Sequence, residues 1–281
     1  MSSTSFATSK KAFPSKFADA GGIRTHYLDV GRGPTCILVH GGGAGADGYS
    51  NWVKTIPILS ESCRVVAMDM LGFGQTEKPG GDFVYSQQAR NDHLASFIEA
   101  IDARGATVVG NSMGGASAIG ACVQHSGLIG KLVLMGSAGL PTELPEALRP
   151  IVNYDFTREG MIALMRALTT DGYQIDSDMV DYRVQSSVEP EARRAYARTM
   201  QWVKEHNGIA YDESFIASVN VPTLVVNGKQ DKVVPLAHAL KFIELIPRSW
   251  GYLIPDCGHW AMLEHVDDFA MATRNFIAYA K

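Results

Sequence analysis

The sequence predicts an α/β fold in which helices flank a mostly parallel, eight-stranded sheet and a helical lid is inserted. Three observations predict this fold. Short apolar, β-branched segments alternate with amphipathic helical segments along most of the chain. The alternation stops between residues 141 and 207, where only helical patterns occur. A glycine-flanked serine, Ser112, lies in a turn that joins a strand to a helix.

Seven strands and four core helices can be placed in order. The strands are predicted at residues 23–30, 35–40, 64–70, 107–111, 131–136, 222–227 and 250–254. The core helices are predicted at residues 86–103, 114–124, 236–245 and 265–280. In the first of these, Leu94, Phe97, Ile98 and Ile101 share one face. We therefore assign residues 1–140 and 207–281 to the core.

The remaining segment, residues 141–206, is predicted to be the lid. Around 65 residues without a strand cannot form one loop in a compact domain. Helical patterns occur instead at residues 158–168, 178–184 and 191–205. The segment follows a strand whose carboxyl end faces the expected site. A lid is therefore favoured over its alternative, an extra helical layer with no gating role.

Composition narrows the class of protein. The chain has 281 residues, of which 46% are hydrophobic and 19% charged, and a net charge of −4. No basic face indicates nucleic-acid binding, and no apolar segment approaches the roughly 18–20 residues of a membrane span. The N-terminus has no apolar stretch typical of a secretory signal, and the four cysteines form no Cys-x-x-Cys pair. These features predict a cytoplasmic protein with buried, reduced thiols.

The turn Gly110-Asn111-Ser112-Met113-Gly114 fits the pattern Gly-x-Ser-x-Gly. The flanking glycines allow a strand and a helix to approach without a Cβ clash, and the serine hydroxyl is raised above the sheet. The pattern alone is weak, because a glycine-rich turn can be only structural. In the context of a preceding strand and a following helix, it predicts that Ser112 is a nucleophile.

A serine nucleophile needs a base and an acid. Of eight histidines, His259 lies alone in a loop after the final strand, at the sheet edge where sites form in parallel α/β folds. Asp231 follows the strand at 222–227 and fits the chain order serine, acid, histidine. Asp256 is the rival acid, but it is only three residues from His259. We predict the triad Ser112, Asp231 and His259.

The glycine run after the second predicted strand, Gly41-Gly42-Gly43, is expected to expose backbone amides to a substrate oxygen. The amides of Gly42 and Met113 are the predicted oxyanion hole. His40, which precedes the run, is expected to be structural and hydrogen-bonded within the loop. No metal-binding spacing and no nucleotide fingerprint occur, so no metal and no cofactor are predicted.

The sequence resembles the meta-cleavage-product hydrolases, serine-dependent enzymes that hydrolyse carbon–carbon bonds in bacterial aromatic catabolism and have the α/β-hydrolase fold. The resemblance runs from about residue 17 to the end and is greatest to the branch acting on products of carbazole and dioxin-type compounds. Asn111 before the serine, Asn51 after the glycine run and Trp260 after the histidine are its narrower features. The matching segments are His40-Gly41-Gly42-Gly43 with Gly45 and Ser50-Asn51, then 69–74, 110–115, 153–155, 228–235 and 257–260.

The resemblance implies a small-molecule dienoate substrate, a 2-hydroxy-6-oxohexa-2,4-dienoate with a substituent at C6. It implies keto tautomerisation, attack of Ser112 on the C6 ketone and cleavage of the C5–C6 bond. The products would be 2-hydroxypenta-2,4-dienoate and a carboxylic acid. A water-derived gem-diol in place of serine attack is the alternative. A homo-oligomer, a dimer or larger, is also implied.

Binding residues are carried over from the resemblance. Asn51, Asn111 and Arg183 would hold the dienoate carboxylate, with Trp260 stacking nearby. For Arg183 the alternative is a surface ion pair with Asp178 or Asp181. Gly41 and Gly43 would line the same pocket. The distal pocket is expected to be apolar. Its candidate residues are Leu140, which immediately precedes the lid segment, then Ile151, Phe156, Met161 and Leu164 within the lid, with Val233 and Val234 beside the acid. For each of them the alternative is simple packing between the lid and the core.

Relatives that accept a phenyl group often carry Phe near the position of Val233, so valine there is expected to leave more room. An ordinary carboxylesterase or lactonase remains an alternative function, but a neutral ester needs no carboxylate pocket. A non-catalytic ligand receptor is disfavoured by the intact triad and glycine loop. Haloalkane dehalogenases need a carboxylate where Ser112 stands.

Overall fold

The computed structural model describes residues 13–141 and 145–280. In this part of the chain eight strands form one sheet, in the order β1-β2-β4-β3-β5-β6-β7-β8. Strand β2 is antiparallel to both its neighbours, and the other pairs are parallel. The predicted α/β fold with a mostly parallel, eight-stranded sheet is confirmed. The strands are β1 (Ser15–Ala20), β2 (Ile23–Gly31), β3 (Thr35–Val39), β4 (Arg64–Met68), β5 (Ala106–Asn111), β6 (Ile129–Met135), β7 (Thr223–Gly228) and β8 (Ser249–Ile254).

The central strands are buried because helices cover both faces of the sheet. Every residue of β5 and β7 is buried. Most of these residues are apolar or small, as expected for parallel strands that are covered on both faces. Strand β8 lies at the sheet edge and is only partly buried. The carboxyl ends of β3, β5, β6 and β7 therefore lie side by side at one edge, where the loops that follow them can meet.

Twelve α-helices are found in the described residues. Helix α3 begins after Ser86. The Ser86 Oγ accepts a hydrogen bond from the amide of Ala89, a backbone donor of the first turn that has no partner within the helix. The helices are α1 (Gly48–Trp52), α2 (Thr55–Leu59), α3 (Gln87–Ala100), α4 (Met113–Gln124), α5 (Arg149–Val152), α6 (Arg158–Leu168), α7 (Ser177–Val188), α8 (Pro190–Glu205), α9 (Glu213–Ala217), α10 (Leu236–Leu245), α11 (Ala261–Glu264) and α12 (Val266–Tyr279).

Helices α5–α8, here called the inserted helices, lie between β6 and β7. The chain leaves and re-enters the core at adjacent points, since the Tyr211 amide donates to the Gly139 carbonyl over 2.9 Å. Helices α6 and α8 each bury one apolar stripe, which includes Met161 and Leu164 on α6 and Met200 and Val203 on α8. The helical content of this segment was predicted, and its role as a lid stays a prediction.

Several boundaries differ from the prediction. Strand β1 had no assigned position, because Ser15–Ala20 is mostly exposed and has no apolar face. Helices α1 and α2 have five residues each, too short for a helical period to show. Helix α7 extends to Val188 instead of ending at the predicted residue 184. The next helix begins at Pro190. Across residues 13–141 and 145–280, no helix is long and apolar enough to span a bilayer.

Candidate active site

Ser112 lies at the tip of a tight turn between β5 and α4. Its backbone has φ of 54° and ψ of −119°, a conformation that an L-residue rarely adopts. The turn requires both flanking glycines. A Cβ on Gly110 would lie 2.6 Å from the Gly115 Cα, and one on Gly114 would clash with the carbonyls of Val39 and His40. The sequence pattern and the strained serine are thus parts of one feature.

His259 and Asp231 form a buried pair. The His259 Nδ1 lies 2.7 Å from the Asp231 Oδ2, and both side chains are essentially inaccessible to solvent. The other carboxylate oxygen, Oδ1, accepts the amides of Val233 and Val234, each over 2.8 Å. With Nδ1 held by the carboxylate, Nε2 is left to accept a proton. Ser112 and His259 line one cavity.

Gly136 packs directly behind this pair. Its φ is +50°, and a Cβ there would lie 2.9 Å from the His259 Nδ1 and 3.2 Å from the Asp231 Oδ2. A side chain would push the imidazole away from its carboxylate. No sequence pattern distinguishes Gly136, because a lone glycine after a strand is usually a turn residue.

The rival acid is placed elsewhere. Asp256 is exposed, and its Oδ1 accepts a hydrogen bond from the Gln230 Nε2 over 3.0 Å. His40 is hydrogen-bonded within its loop as expected: its Nδ1 donates to the Gly41 carbonyl over 2.7 Å, and its Nε2 accepts the Met70 amide over 3.0 Å. Burial lowers the pKa of His40, which favours this neutral tautomer.

The glycine loop packs onto the serine turn. A Cβ on Gly41 would lie 2.8 Å from the Asn111 Oδ1 and 3.3 Å from the Ser112 Cβ. A Cβ on Gly42 would come at least as close to the side chain of Met113. Within the described residues, the amides of Gly42 and Met113 donate to no other group. They are therefore free to bind an oxyanion on a substrate.

A buried guanidinium stands at one end of the same cavity. Arg183 on α7 is 1% exposed, and its Nη2 donates to the Asn51 Oδ1 over 3.2 Å. The Asn51 Nδ2 in turn lies 3.3 Å from the Asn111 Oδ1. The Nε and Nη1 atoms of Arg183 have no hydrogen-bond partner in the described structure. Burial lowers the pKa of Arg183 to about 10, so the group still carries its charge at neutral pH.

Trp260 completes this end of the cavity. The Arg183 guanidinium carbon lies 4.7 Å from the centre of the Trp260 ring, a cation–π contact. The surface ion pair considered as the alternative for Arg183 is not formed, because Asp181 instead binds Arg158 over 2.7 Å. The structure thus brings together Asn51, Asn111, Arg183 and Trp260, which lie far apart in the sequence.

Helix α7 is fixed to the core beside Arg183. The hydroxyl of Tyr182 donates to the Asp47 Oδ2, and burial, with Asp47 adding to it, raises the pKa of Tyr182. The other oxygen of Asp47 accepts the Ser50 amide and caps α1, the helix that carries Asn51. Asp47 therefore couples the positions of Asn51 and Arg183.

A second attachment lies at the end of α6. The backbone amide of His259 donates to the Leu168 carbonyl over 3.0 Å. Glu264 adds a carboxylate bridge, accepting the Gly258 amide with Oε1 and the Thr170 amide with Oε2, over 2.9 and 2.8 Å. The inserted helices are thus joined by main-chain and side-chain bonds to the loop that holds His259.

The far end of the cavity is apolar. Of the residues predicted there, Leu140, Ile151, Val233 and Val234 line it. Phe156, Met161 and Leu164 were predicted to line it, and the structure places them outside its wall. Met161 and Leu164 are fully buried in the stripe of α6, and Phe156 packs on Tyr154 and Tyr196. An apolar helix stripe does not by itself show whether it faces a cavity or a neighbouring helix.

Other residues of this end were missed. His238 on α10 and the remaining lining residues were not among the predicted site residues. The i, i+3 spacing of Met200 and Val203 was the one available signal. The additional lining residues are Ala138, Leu148, Val152, Leu168, Met200, Val203, Gly208, Ile209 and His238. In the part of the chain that the structure describes, no group of three or more His, Cys, Asp or Glu residues is arranged to hold a metal ion.

Comparisons with known proteins agree with this geometry. Residues 34–266 match the family model described as alpha/beta hydrolase fold. The chain is 55% identical over 271 residues to a 2-hydroxy-6-oxo-6-(2'-aminophenyl)hexa-2,4-dienoic acid hydrolase from Metapseudomonas resinovorans, covering 96% of this chain and 93% of the relative. It is 33% identical to a 2-hydroxymuconate semialdehyde hydrolase from Pseudomonas sp. strain CF600, covering 93% of each chain.

Solved structures give the same result. A serine hydrolase involved in carbazole degradation superimposes with a TM-score of 0.88 at 52% identity, covering 95% of this chain and 99% of that one. A meta-cleavage product hydrolase, solved as a variant, gives a TM-score of 0.87 at 33% identity and 94% and 98% coverage. The resemblance inferred from the motifs is confirmed: the chain belongs to the α/β-hydrolase fold family and, within it, to the meta-cleavage-product hydrolases.

Proposed function

We propose that this protein hydrolyses the C5–C6 bond of 2-hydroxy-6-oxo-6-substituted hexa-2,4-dienoates through Ser112. The observation that carries the proposal is the Arg183 guanidinium, buried in the cavity with two N–H groups unpartnered in the described structure. A buried cation of this kind calls for an anionic ligand with paired oxygens. A dienoate carboxylate supplies one, whereas a neutral ester does not.

The C6 substituent is proposed to be an aryl group. The relative that is 55% identical is named for a 6-(2'-aminophenyl) substrate. The apolar end of the cavity, with Leu140, Ile151 and Val233, offers the surface that an aromatic ring would bury. Binding the carboxylate at Arg183 would direct the C6 group toward this end.

The first step is a tautomerisation. The 2-hydroxyl loses its proton and C5 gains one, giving a 2,6-dioxo-3-enoate. In this keto form the electron pair released at C5 can later delocalise to the oxygen at C2. His259, held at Nδ1 by Asp231, is the group placed to transfer these protons.

The second step breaks the carbon–carbon bond. The Ser112 oxygen adds to the C6 ketone as His259 accepts its proton, and the oxyanion binds the amides of Gly42 and Met113. Collapse of this adduct breaks C5–C6, and the electron pair moves to the C2 oxygen. After protonation the first product is 2-hydroxypenta-2,4-dienoate, and the acyl group remains on Ser112.

Water completes the cycle. His259 takes a proton from water, the hydroxide adds to the acyl group, and a carboxylic acid leaves as Ser112 regains its proton. In the alternative route, His259 activates water to form a gem-diol at C6, and Ser112 only orients it. Trapping an acyl-enzyme by rapid acid quench and mass spectrometry separates the two, because only the first route adds the acyl mass to Ser112.

The test is turnover of yellow meta-cleavage products. Purified protein is mixed with dienoates carrying methyl, phenyl or 2-aminophenyl at C6, and the loss of dienolate absorbance is followed. We expect turnover of at least one aryl substrate, with kcat/KM well above that for p-nitrophenyl acetate. Fast ester hydrolysis without loss of any dienoate would instead support a carboxylesterase.

Ser112→Ala is the matched control. Its kcat is expected to fall by at least about 1,000-fold, while the dienoate still binds and perturbs its own absorbance spectrum. A fully active Ser112→Ala protein would overturn the assigned nucleophile.

The cellular setting is proposed to be the cytoplasm, and the working form a homo-oligomer. The four cysteines are free and buried, which fits a reducing compartment. Exposed apolar side chains on β8 and α12, among them Trp250 and Met271, fit a contact with a second copy. Light scattering of the purified protein is expected to give at least twice the 30.4 kDa chain mass.

A further inference from the structure

Among the described residues that line the apolar end of the cavity, one has a polar side chain. His238 on α10 lines this end together with Leu140, Val234 and Ile209. Its imidazole is half-buried and makes no hydrogen bond to another described residue. The reaction proposed above uses His259 and leaves His238 without a role. A polar group on the wall of an apolar pocket gives orientation and specificity to a ligand.

The sheet order places His238 on the opposite side of Ser112 from Asn51 and the glycine loop. Asn51 and the glycine loop follow β3, Ser112 follows β5, and His238 lies on the helix after β7. Their strands stand in the order β3-β5-β6-β7. At about 4.8 Å per strand, β7 lies roughly 10 Å from β5, on the side away from β3. A substrate bound at Arg183 with its ketone at Ser112 would extend its C6 group toward His238.

The segment that carries His238 is held in place. The carboxylate of Asp231 accepts the amides of Val233 and Val234, and the His238 amide donates to the Pro235 carbonyl over 2.8 Å. One turn further along the same face of the helix, Phe242 is buried in the core. The backbone of the segment that carries His238 is thus held in part by the acid of the triad.

The imidazole is a matching partner for a ring substituent. Burial lowers the pKa of His238, while Asp231 opposes this shift, so the ring is neutral at neutral pH. A neutral imidazole offers one N–H donor and one nitrogen acceptor. An amino or hydroxyl group on an aromatic ring can use either of them, and an unsubstituted phenyl group can use neither.

We propose that His238 is a specificity-determining residue that hydrogen-bonds an amino or hydroxyl group on the C6 aryl ring of the substrate. This inference rests on the proposed dienoate hydrolysis and extends it from the reacting bond to the far end of the substrate. One hydrogen bond of this kind changes kcat/KM by about three- to tenfold. The effect should be confined to substrates that carry the polar group.

The test compares kcat/KM for three dienoates, with 2-aminophenyl, 2-hydroxyphenyl and phenyl at C6. The proteins are the wild type, His238→Leu, His238→Gln and Leu240→Ala. Leu240 is an exposed residue of the same helix and serves as the matched control. The phenyl substrate reports folding and basal activity in every variant.

In His238→Leu, kcat/KM is expected to fall about three- to tenfold for the two polar substrates and to stay within about twofold for the phenyl substrate. His238→Gln should keep part of the preference, and Leu240→Ala all of it. Equal changes for all three substrates, or none for any, would overturn the role of His238. Failure of the proposed function has a different signature, since the wild type would then consume none of the three.

Discussion

The two ends of the cavity are built in different ways. At the carboxylate end, Arg183, Asn51 and Asn111 form a continuous hydrogen-bonded chain, and Trp260 stacks on the guanidinium. At the far end, apolar side chains from many elements meet with few directional bonds. The first end is suited to fix one shared group, and the second can vary with the substituent. For the proposed substrate, recognition of the dienoate and choice of the C6 group would therefore be separable.

The largest effect should follow from removing the cation at the carboxylate end of the cavity. In Arg183→Met, kcat/KM is expected to fall at least about 100-fold. The factor should be the same for the methyl, phenyl and aminophenyl substrates. The free energy of unfolding should be unchanged or higher, because an incompletely partnered buried charge is replaced by an apolar side chain. Steady-state kinetics and denaturant unfolding measure the two quantities.

If Arg183→Met lowered kcat/KM for only some of the substrates, the two ends of the cavity would not be independent. A large loss of stability with little change in kcat/KM would show that Arg183 is a structural residue.

An intermediate effect is expected at the far end. Val233→Phe should change the ratio of kcat/KM between aryl and methyl substrates by about tenfold, because the added ring occupies room beside Asp231. The affinity for 2-hydroxypenta-2,4-dienoate, a product that lacks the C6 group, should stay the same. An unchanged aryl-to-methyl ratio would contradict a role for Val233 in substituent choice.

The smallest effect should come from the support of the carboxylate end. Tyr182→Phe removes the hydrogen bond to Asp47 that couples α7 to α1. We expect KM to rise about three- to tenfold while kcat changes by less than about twofold, because Arg183 and Ser112 themselves remain. Gln185→Ala, at an exposed position of the same helix, is the control. A fall in kcat with KM unchanged would argue against a positioning role for Tyr182.

The residues of the carboxylate end were predicted from the family resemblance, and three of the four adjoin motifs that carry it. Asn111 and Trp260 each flank a triad residue, and Asn51 follows the glycine loop at a characteristic distance. Arg183 adjoins no motif. Its helix extends four residues beyond the predicted end and its local pattern resembles a surface ion pair. Its burial depends on contacts with Asn51 and Trp260, which no local pattern contains.

The far end was predicted less well for a physical reason. Leu140 and Val233 adjoin strand ends, so the topology places them near the site. Met161 and Leu164 have the same apolar character, but the rotation of α6 about its axis turns them into the helix packing. That rotation is set by tertiary contacts over the whole inserted segment. The positions of seven strands followed from alternation along the chain, whereas β1, mostly exposed, had no apolar signal to find.

The bond from the His259 amide to the Leu168 carbonyl has a consequence for folding. The triad histidine cannot reach its native backbone position unless the end of α6 is also in place. The inserted helices and the sheet should therefore unfold in a single cooperative transition. Native-state hydrogen exchange provides a direct reading, because the His259 amide is protected only while this junction is closed. Its exchange rate measures how often the junction between α6 and the core opens.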